Sequence, residues 1–192
     1  MKTCCRWVAA SLWLAAATLP SFAAELLLFD FTKGPEIPKL TASDALATLS
    51  AAGAGLRVAT GHRQTWPGVT LPAPGGHWDL SPYAEVALTI KNAGTNAVTL
   101  FCRVDNPGAD GTDHCVTHSL SLARGQIGVL NVLLKRTSYD TLGGKLFGMR
   151  GYPVKAGGTG TIDPANVTQL LAFVSQPQAD HIVEIRLSRS QS

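Results

Sequence analysis

Residues 78–134 read WDLSPYAEVALTIKNAGTNAVTLFCRVDNPGADGTDHCVTHSLSLARGQIGVLNVLL, and this stretch decides the fold. Apolar and polar residues alternate through 83–91, 98–105, 115–122 and 126–134. A period of two marks strands with one wet face. The intervening Asn-Ala-Gly-Thr-Asn, Asn-Pro-Gly-Ala-Asp-Gly and Ala-Arg-Gly-Gln clusters read as hairpin loops, because these residue types supply turn geometry and cap their own backbone. The spacing predicts an all-β chain, an antiparallel β-sandwich, and sandwiches of this size bind more often than they catalyse.

Alternation also assigns faces. Val86, Leu88 and Ile90 point one way, with Glu85, Ala87 and Thr89 opposite. Val98, Leu100, Cys102 and Val104 point inward, leaving Thr99, Phe101 and Arg103 outward beside Glu85 and Thr89. In the next strand Val116, His118, Leu120 and Leu122 share the inner face, so His118 is a misfit, read as a hydrogen-bonded core or edge histidine rather than a ligand. Upstream, residues 25–31 (ELLLFDF) form a first strand, and 40–55 read as a weak helical turn or loop. Short strands at 56–60 and 68–71 flank Trp66. Downstream, 137–147 read as a short helix or loop, and 151–164 as a Pro/Gly-rich loop. Residues 167–175 read as a strand buried on both faces, and 181–188 close the sheet, burying Val183, Ile185 and Leu187.

The N-terminus describes compartment. Lys2 and Arg6 precede an apolar run at 7–17, Pro20 breaks it, and Ser21-Phe22-Ala23 suits a signal peptidase. Residues 1–23 are therefore expected to be a signal peptide and 24–192 a single exported domain, periplasmic or extracellular. The apolar run is too short to span a bilayer, and nothing after Ala24 approaches that length, so no membrane span is expected after cleavage. Losing Lys2 and Arg6 leaves 14 basic against 13 acidic residues, without the basic stripe a nucleic acid would require.

Cys102 and Cys115 are the cysteines that remain, in a compartment that permits a disulfide. Parity sets Cys102 inward with Leu100 and Cys115 outward with Thr117, which opposes a bridge. A bulge near the loop restores the pairing, and both states stay open.

Three segments carry a resemblance: Trp78-Asp79-Leu80-Ser81, then Val104-Asp105-Asn106-Pro107-Gly108-Ala109-Asp110-Gly111, then Leu146-Phe147-Gly148-Met149-Arg150-Gly151-Tyr152-Pro153. With the closing Ile162-Asp163-Pro164 and Val183-Glu184-Ile185-Arg186, they resemble, in order and spacing, the N-terminal carbohydrate-binding-module-like domain of bacterial agarases of glycoside hydrolase family 50. The resemblance implies a galactose-binding-like jelly roll, ordinarily followed by a catalytic barrel. The sequence stops at Ser192, where such a barrel would begin, so hydrolase activity is not carried over.

The residues agree. A glycosidase needs two carboxyl groups flanking a cleft, whereas Glu85 and Glu184 sit on wet strand faces, and no nucleophile elbow or metal-binding helix is present. The expectation is a non-catalytic module. Its partner would be a polysaccharide or oligosaccharide, galactose-containing by the resemblance, or else a catalytic partner domain. Sugar binding needs flat rings and planar polar groups. Trp66, Trp78, Phe101, Arg103 and Tyr152 are the candidates, against the alternative that each tryptophan plugs an end of the core. No cofactor is expected beyond a structural Ca²⁺. Asp105 and Asp110 in the Asn-Pro-Gly loop are one candidate set of hard oxygen ligands, although turn chemistry is the favoured account of them. Asp30 and Asp180, near the two terminal strands, are a second set, implied by the jelly-roll resemblance.

Overall fold

A computed structural model describes residues 26–29, 31, 39–50, 55–134 and 162–191, the last five as backbone only. The elements are β1 (Leu26–Phe29), β2 (Thr41–Ser43), β3 (Ala45–Leu49), β4 (Gly55–Thr60), β5 (Gly68–Pro72), β6 (Glu85–Asn92), β7 (Val98–Asp105), β8 (Cys115–Leu122), β9 (Ile127–Leu133), β10 (Gln169–Val174) and β11 (His181–Gln191). All pairings are antiparallel, in two sheets. One sheet runs β3-β4-β11-β6-β9, with β1 extending β11, and the other runs β2-β5-β10-β7-β8. The two-layer antiparallel sandwich expected from the alternation is the observed architecture, and no α-helix occurs among the described residues. Residues 137–147 and 151–161, and residues 1–23, expected to be a signal peptide, lie outside them.

The inward-facing residues of both sheets interdigitate into one core. Leu56, Leu71, Leu88, Ile90, Leu100, Leu170 and Ile185 are all fully buried there. At about 25 cal/mol per Å² of apolar surface removed from water, each contributes roughly 1.5–3 kcal/mol against chain entropy.

The connections differ from the expected hairpins. Of the three loops read as hairpins, the 106–114 loop alone joins partners, β7 and β8, in one sheet. The Asn-Ala-Gly-Thr-Asn and Ala-Arg-Gly-Gln segments instead cross between sheets, taking β6 to β7 and β8 to β9. Asn92 holds both crossovers together. It is buried, and its side-chain amide donates to the carbonyls of Asn96 (2.8 Å) and Leu122 (3.1 Å) and accepts the amide of Gly94 (3.0 Å). A polar side chain can sit in the core only when satisfied in this way.

Residues 40–55 are not a helical turn: they contain β2 and β3, two edge strands. Their ladders to β5 and β4 hold them, while their side chains give little pattern. In β3 the small Ala45 and Ala47 face the core and the large Leu46 is 65% exposed, which inverts the usual signal. Asp44 turns the chain from one sheet to the other at a φ of 42°, its carboxylate accepting the amides of Arg63 (2.7 Å) and Gln64 (3.1 Å). Nor does the last strand lie at an edge. β11 is central, flanked on one side by β6 and on the other by β4 and then β1.

Parity decides the cysteines. β7 and β8 pair in regular register, Cys102 opposite His118 and Asp105 opposite Cys115, with no bulge. The two thiols are three ladder steps apart on opposite faces, and both are free and buried. Burial, with the nearby Asp105 carboxylate second, pushes the Cys102 thiol up to about 12, so it is unreactive at neutral pH. Thiol titration of the protein, denatured without reductant, should find both Cys102 and Cys115 reactive, with neither labelled quickly in the native state. Protection that only a reductant removes would contradict this register.

Candidate functional site

The outer face of the five-stranded sheet carries three rows of side chains set by ladder register. Gly68, Phe173, Phe101 and Ser119 lie across β5-β10-β7-β8 in one row, with Thr70, Leu171, Arg103 and Thr117 in the next. Pro72, Gln169, Asp105 and Cys115 form the third, at the end where β7 leaves the sheet. Ser43 and Thr41 extend the first two rows onto β2. The first two rows, together with Trp66 and the loop residues Asp110, Gly111 and Thr112, line an open groove of about 950 Å³, and the third row lies outside that lining.

Its aromatic part is a line of three rings. Phe101 stacks on Phe173 at 5.5 Å with the planes 12° apart, and Trp66 meets Phe173 edge-on at 5.8 Å and 84°. Such pairs are each worth about 0.5–1.5 kcal/mol beyond simple burial. Gly68 makes the arrangement possible, since a Cβ there would lie 2.6 Å from the Cα and Cβ of Phe173 and 2.3 Å from the carbonyl oxygen of Ala172. Trp66 remains 55% exposed, so its ring is available to a ligand.

The reading of 167–175 as buried on both faces is thereby corrected. Leu170, Ala172 and Val174 enter the core, whereas Leu171 and Phe173 sit half-buried on the groove side. Phe173 was missed because the QLLAFV run is almost wholly apolar. The signal was Gln169, which shares its face with Leu171 and Phe173 and marks it as the outer one.

Phe101 and Arg103 face outward as expected, but not beside Glu85 and Thr89. β6 belongs to the other sheet, so those two residues are across the sandwich. Trp78 is not in the groove either. It bridges to Val167, packs on the core and meets Phe29 edge-on at 5.2 Å, the core-plug alternative. Tyr152 lies outside the described residues. His118 pairs with core-facing Cys102 and so takes the inner side of β8, as its parity indicated; it is half-buried, and desolvation lowers its pKa, favouring the neutral ring.

The polar end of the groove is built on Asp105, which is fully buried. Its carboxylate accepts Arg103 through two hydrogen bonds, from Nε (2.7 Å) and Nη2 (2.9 Å), and a third from Gln169 Nε2 (2.8 Å). Next to it, buried Asn106 donates to the carbonyls of Asp163 (2.8 Å) and Asn166 (2.6 Å) and accepts the amide of Asp163 (2.6 Å), clamping the groove-wall loop to the turn at Pro164–Asn166. Asp110 shapes that loop by accepting the amides of Thr112 and Asp113 at 2.8 Å each, which holds its carboxyl below the usual range.

These partners leave Asp105 and Asp110 poorly suited to a calcium ion: one is engaged by a guanidinium and an amide, the other by its own turn. Asp180 pairs with His62 Nδ1 at 2.7 Å, and Asp30 is outside the described residues. Among the described residues, no three acidic, histidine or cysteine side chains are grouped to hold a metal. No described helix is long and apolar enough to cross a membrane.

No protein-family model matches the chain, and no curated protein matches it. Solved structures do match. An exo-β-agarase superposes with a TM-score of 0.61 at 18% identity over 86% of this chain, which spans 25% of the agarase. A family 11 carbohydrate-binding module from Clostridium thermocellum, solved with a β-1,3-1,4-mixed-linked tetrasaccharide, gives 0.53 at 15% identity, covering 88% of this chain and 96% of the module. A mutant of a family 29 carbohydrate-binding module gives 0.52 at 10% identity, covering 88% and 92%. The chain has the jelly-roll fold of these modules and of a quarter-length portion of the agarase, the fold that its resemblance to family 50 agarases implied.

Proposed function

We propose that residues 24–192 form an exported, non-catalytic module that binds a carbohydrate chain, galactose-containing by the resemblance, along the outer face of the five-stranded sheet. The observation that carries this reading is the line of Trp66, Phe173 and Phe101 beside Arg103 on an open groove. Pyranose rings present a flat C–H face to aromatic planes and hydroxyls to planar donors, and this groove offers both. Its open shape suits a polymer that extends beyond it at either end. The fold shared with families 11 and 29 lends further support. The catalytic alternative has little to work with, since the acidic residue lining the groove, Asp110, is spent on a turn and buried Asp105 on an ion pair.

A second reading, an accessory domain that packs on a partner domain and has no sugar site, is favoured by one observation. Ile127, Val129 and Leu133 are exposed along edge strand β9 of the other sheet.

Calorimetry separates the two. Agaro-oligosaccharides should bind with dissociation constants of tens of micromolar or weaker, as expected for a small, polar, exposed site. Trp66→Ala should weaken binding about tenfold, equivalent to about 1.4 kcal/mol, without changing the melting temperature appreciably. Trp78→Ala should do the reverse: destabilise by about 2–3 kcal/mol, below the range for a fully buried ring, and leave affinity intact. A flat isotherm across a broad glycan panel would leave the accessory-domain reading standing.

The same protein should release no reducing sugar from agarose, porphyran or other galactans. Reproducible turnover that disappears on substituting a single carboxylate would overturn the non-catalytic assignment.

A further inference from the structure

Asp105 has a role that neither turn geometry nor a cation explains. It is a fully buried carboxylate held against the groove-lining Arg103, and its oxygens are occupied by Arg103 Nε and Nη2 and by Gln169 Nε2. A carboxylate that meets a guanidinium through two parallel bonds fixes the plane of the fork as well as its charge. Arg103 lies on the groove side of the sheet, its side chain 20% exposed. With Nε and Nη2 committed, Nη1 is the nitrogen left over.

The loop approaches that nitrogen with a residue that has no side chain. Gly111 sits in the left-handed region at a φ of 97°, and a Cβ added there would lie 3.0 Å from Arg103 Nη1. Any side chain at this position would roof over the nitrogen. The surrounding charge is also unusual for an arginine site. The Arg103 guanidinium is paired with one buried carboxylate, Asp105, and a further carboxylate, Asp110, lines the same groove. A sulfate or uronate brought to Nη1 would meet a cation already neutralised, with a second negative charge nearby.

The geometry points to Asp105 as the positioning residue that sets what the groove accepts. It holds the Arg103 guanidinium flat, cancels its charge, and leaves Nη1 as a fixed donor to the hydroxyl or ether oxygen of an uncharged sugar. The groove thereby selects neutral glycan chains over sulfated or carboxylated ones. This selectivity rests on the groove being the sugar site proposed above.

The test uses the full exported chain and two probes of similar length, a neutral agaro-oligosaccharide and a sulfated carrageenan oligosaccharide. Wild type should bind the neutral probe at least about tenfold more tightly, a difference typical of one unsatisfied polar or charged contact. Asp105→Asn frees the guanidinium charge, so neutral affinity should fall while sulfated affinity rises, and the ratio should shrink or invert. A purely structural role would lower both affinities together, and that result, or an unchanged ratio in folded protein, overturns the inference.

Gly111→Ala is a second variant that keeps the Asp105 carboxylate: at a cost in loop strain it should weaken neutral binding by covering Nη1. Unchanged neutral affinity in folded Gly111→Ala would also overturn the inference. A ligand-free reading comes from NMR, where the Arg103 Nε–H should exchange slowly in wild type and quickly in Asp105→Asn. If wild type binds neither probe while that N–H is protected, the groove reading fails and the selectivity falls with it. If wild type binds and the N–H is unprotected, the positioning role alone fails.

Discussion

The carboxylate of Asp105 and the guanidinium of Arg103 meet at the buried end of β7, and the groove depends on that contact. A charge removed from water must be paired and hydrogen-bonded, and breaking such a pair from one side costs about 3–5 kcal/mol. Here Arg103, on the same strand, and Gln169, on the paired strand β10, meet the requirement. The backbone carbonyl of Asp105 also accepts the amide of Thr168 at 2.8 Å, so the residue joins β7 to the entry of β10 through main chain and side chain alike. Asn106 follows at once and pins the groove wall. Two adjacent buried polar residues thus position the floor and the side of the site.

The aromatic end has a different origin, a steric one. β10 lies between β5 and β7, so Phe173 has a neighbour on each side: Phe101, which stacks on it, and Gly68, which leaves its ring room. Trp66 stands just before β5 and reaches the same ring edge-on. The sheet supplies the ladder spacing and the glycine the clearance. The result is an apolar stripe beside a polar corner on one solvent-facing surface, the combination that sugar recognition requires.

Much of this was legible in the sequence, and what was not has identifiable reasons. Strands β6 to β9 followed from alternation between Gly- and Asn-rich breaks, and the same parity put Phe101 and Arg103 outward and set Cys102 and Cys115 on opposite faces. Loop composition could not tell a hairpin from a crossover between sheets, because both need the same turn residues. The difference lies in Asn92, which reaches Asn96 in its own crossover and Leu122, thirty residues on, at the other. β2 and β3 were invisible because backbone pairing holds them and their large side chain points to water. Trp66 and Trp78 occupy similar Pro/Gly-rich connectors, and only tertiary contacts separate the exposed ring from the core plug. Acidic residues in an Asn-Pro-Gly loop suggested calcium, but the arginine two residues before Asp105 was its partner.

Backbone amide NMR during titration with an agaro-oligosaccharide tests the central claim most directly. If the outer face of the five-stranded sheet is the binding surface, shifts should concentrate at residues 66–70, 101–103, 110–112, 117–119 and 171–173, with the Trp66 indole N–H among the largest. Amides of β4, β6, β9 and β11 should stay in place. Saturable shifts confined to those four strands, with the groove residues unmoved, would place the site on the opposite face and contradict the account.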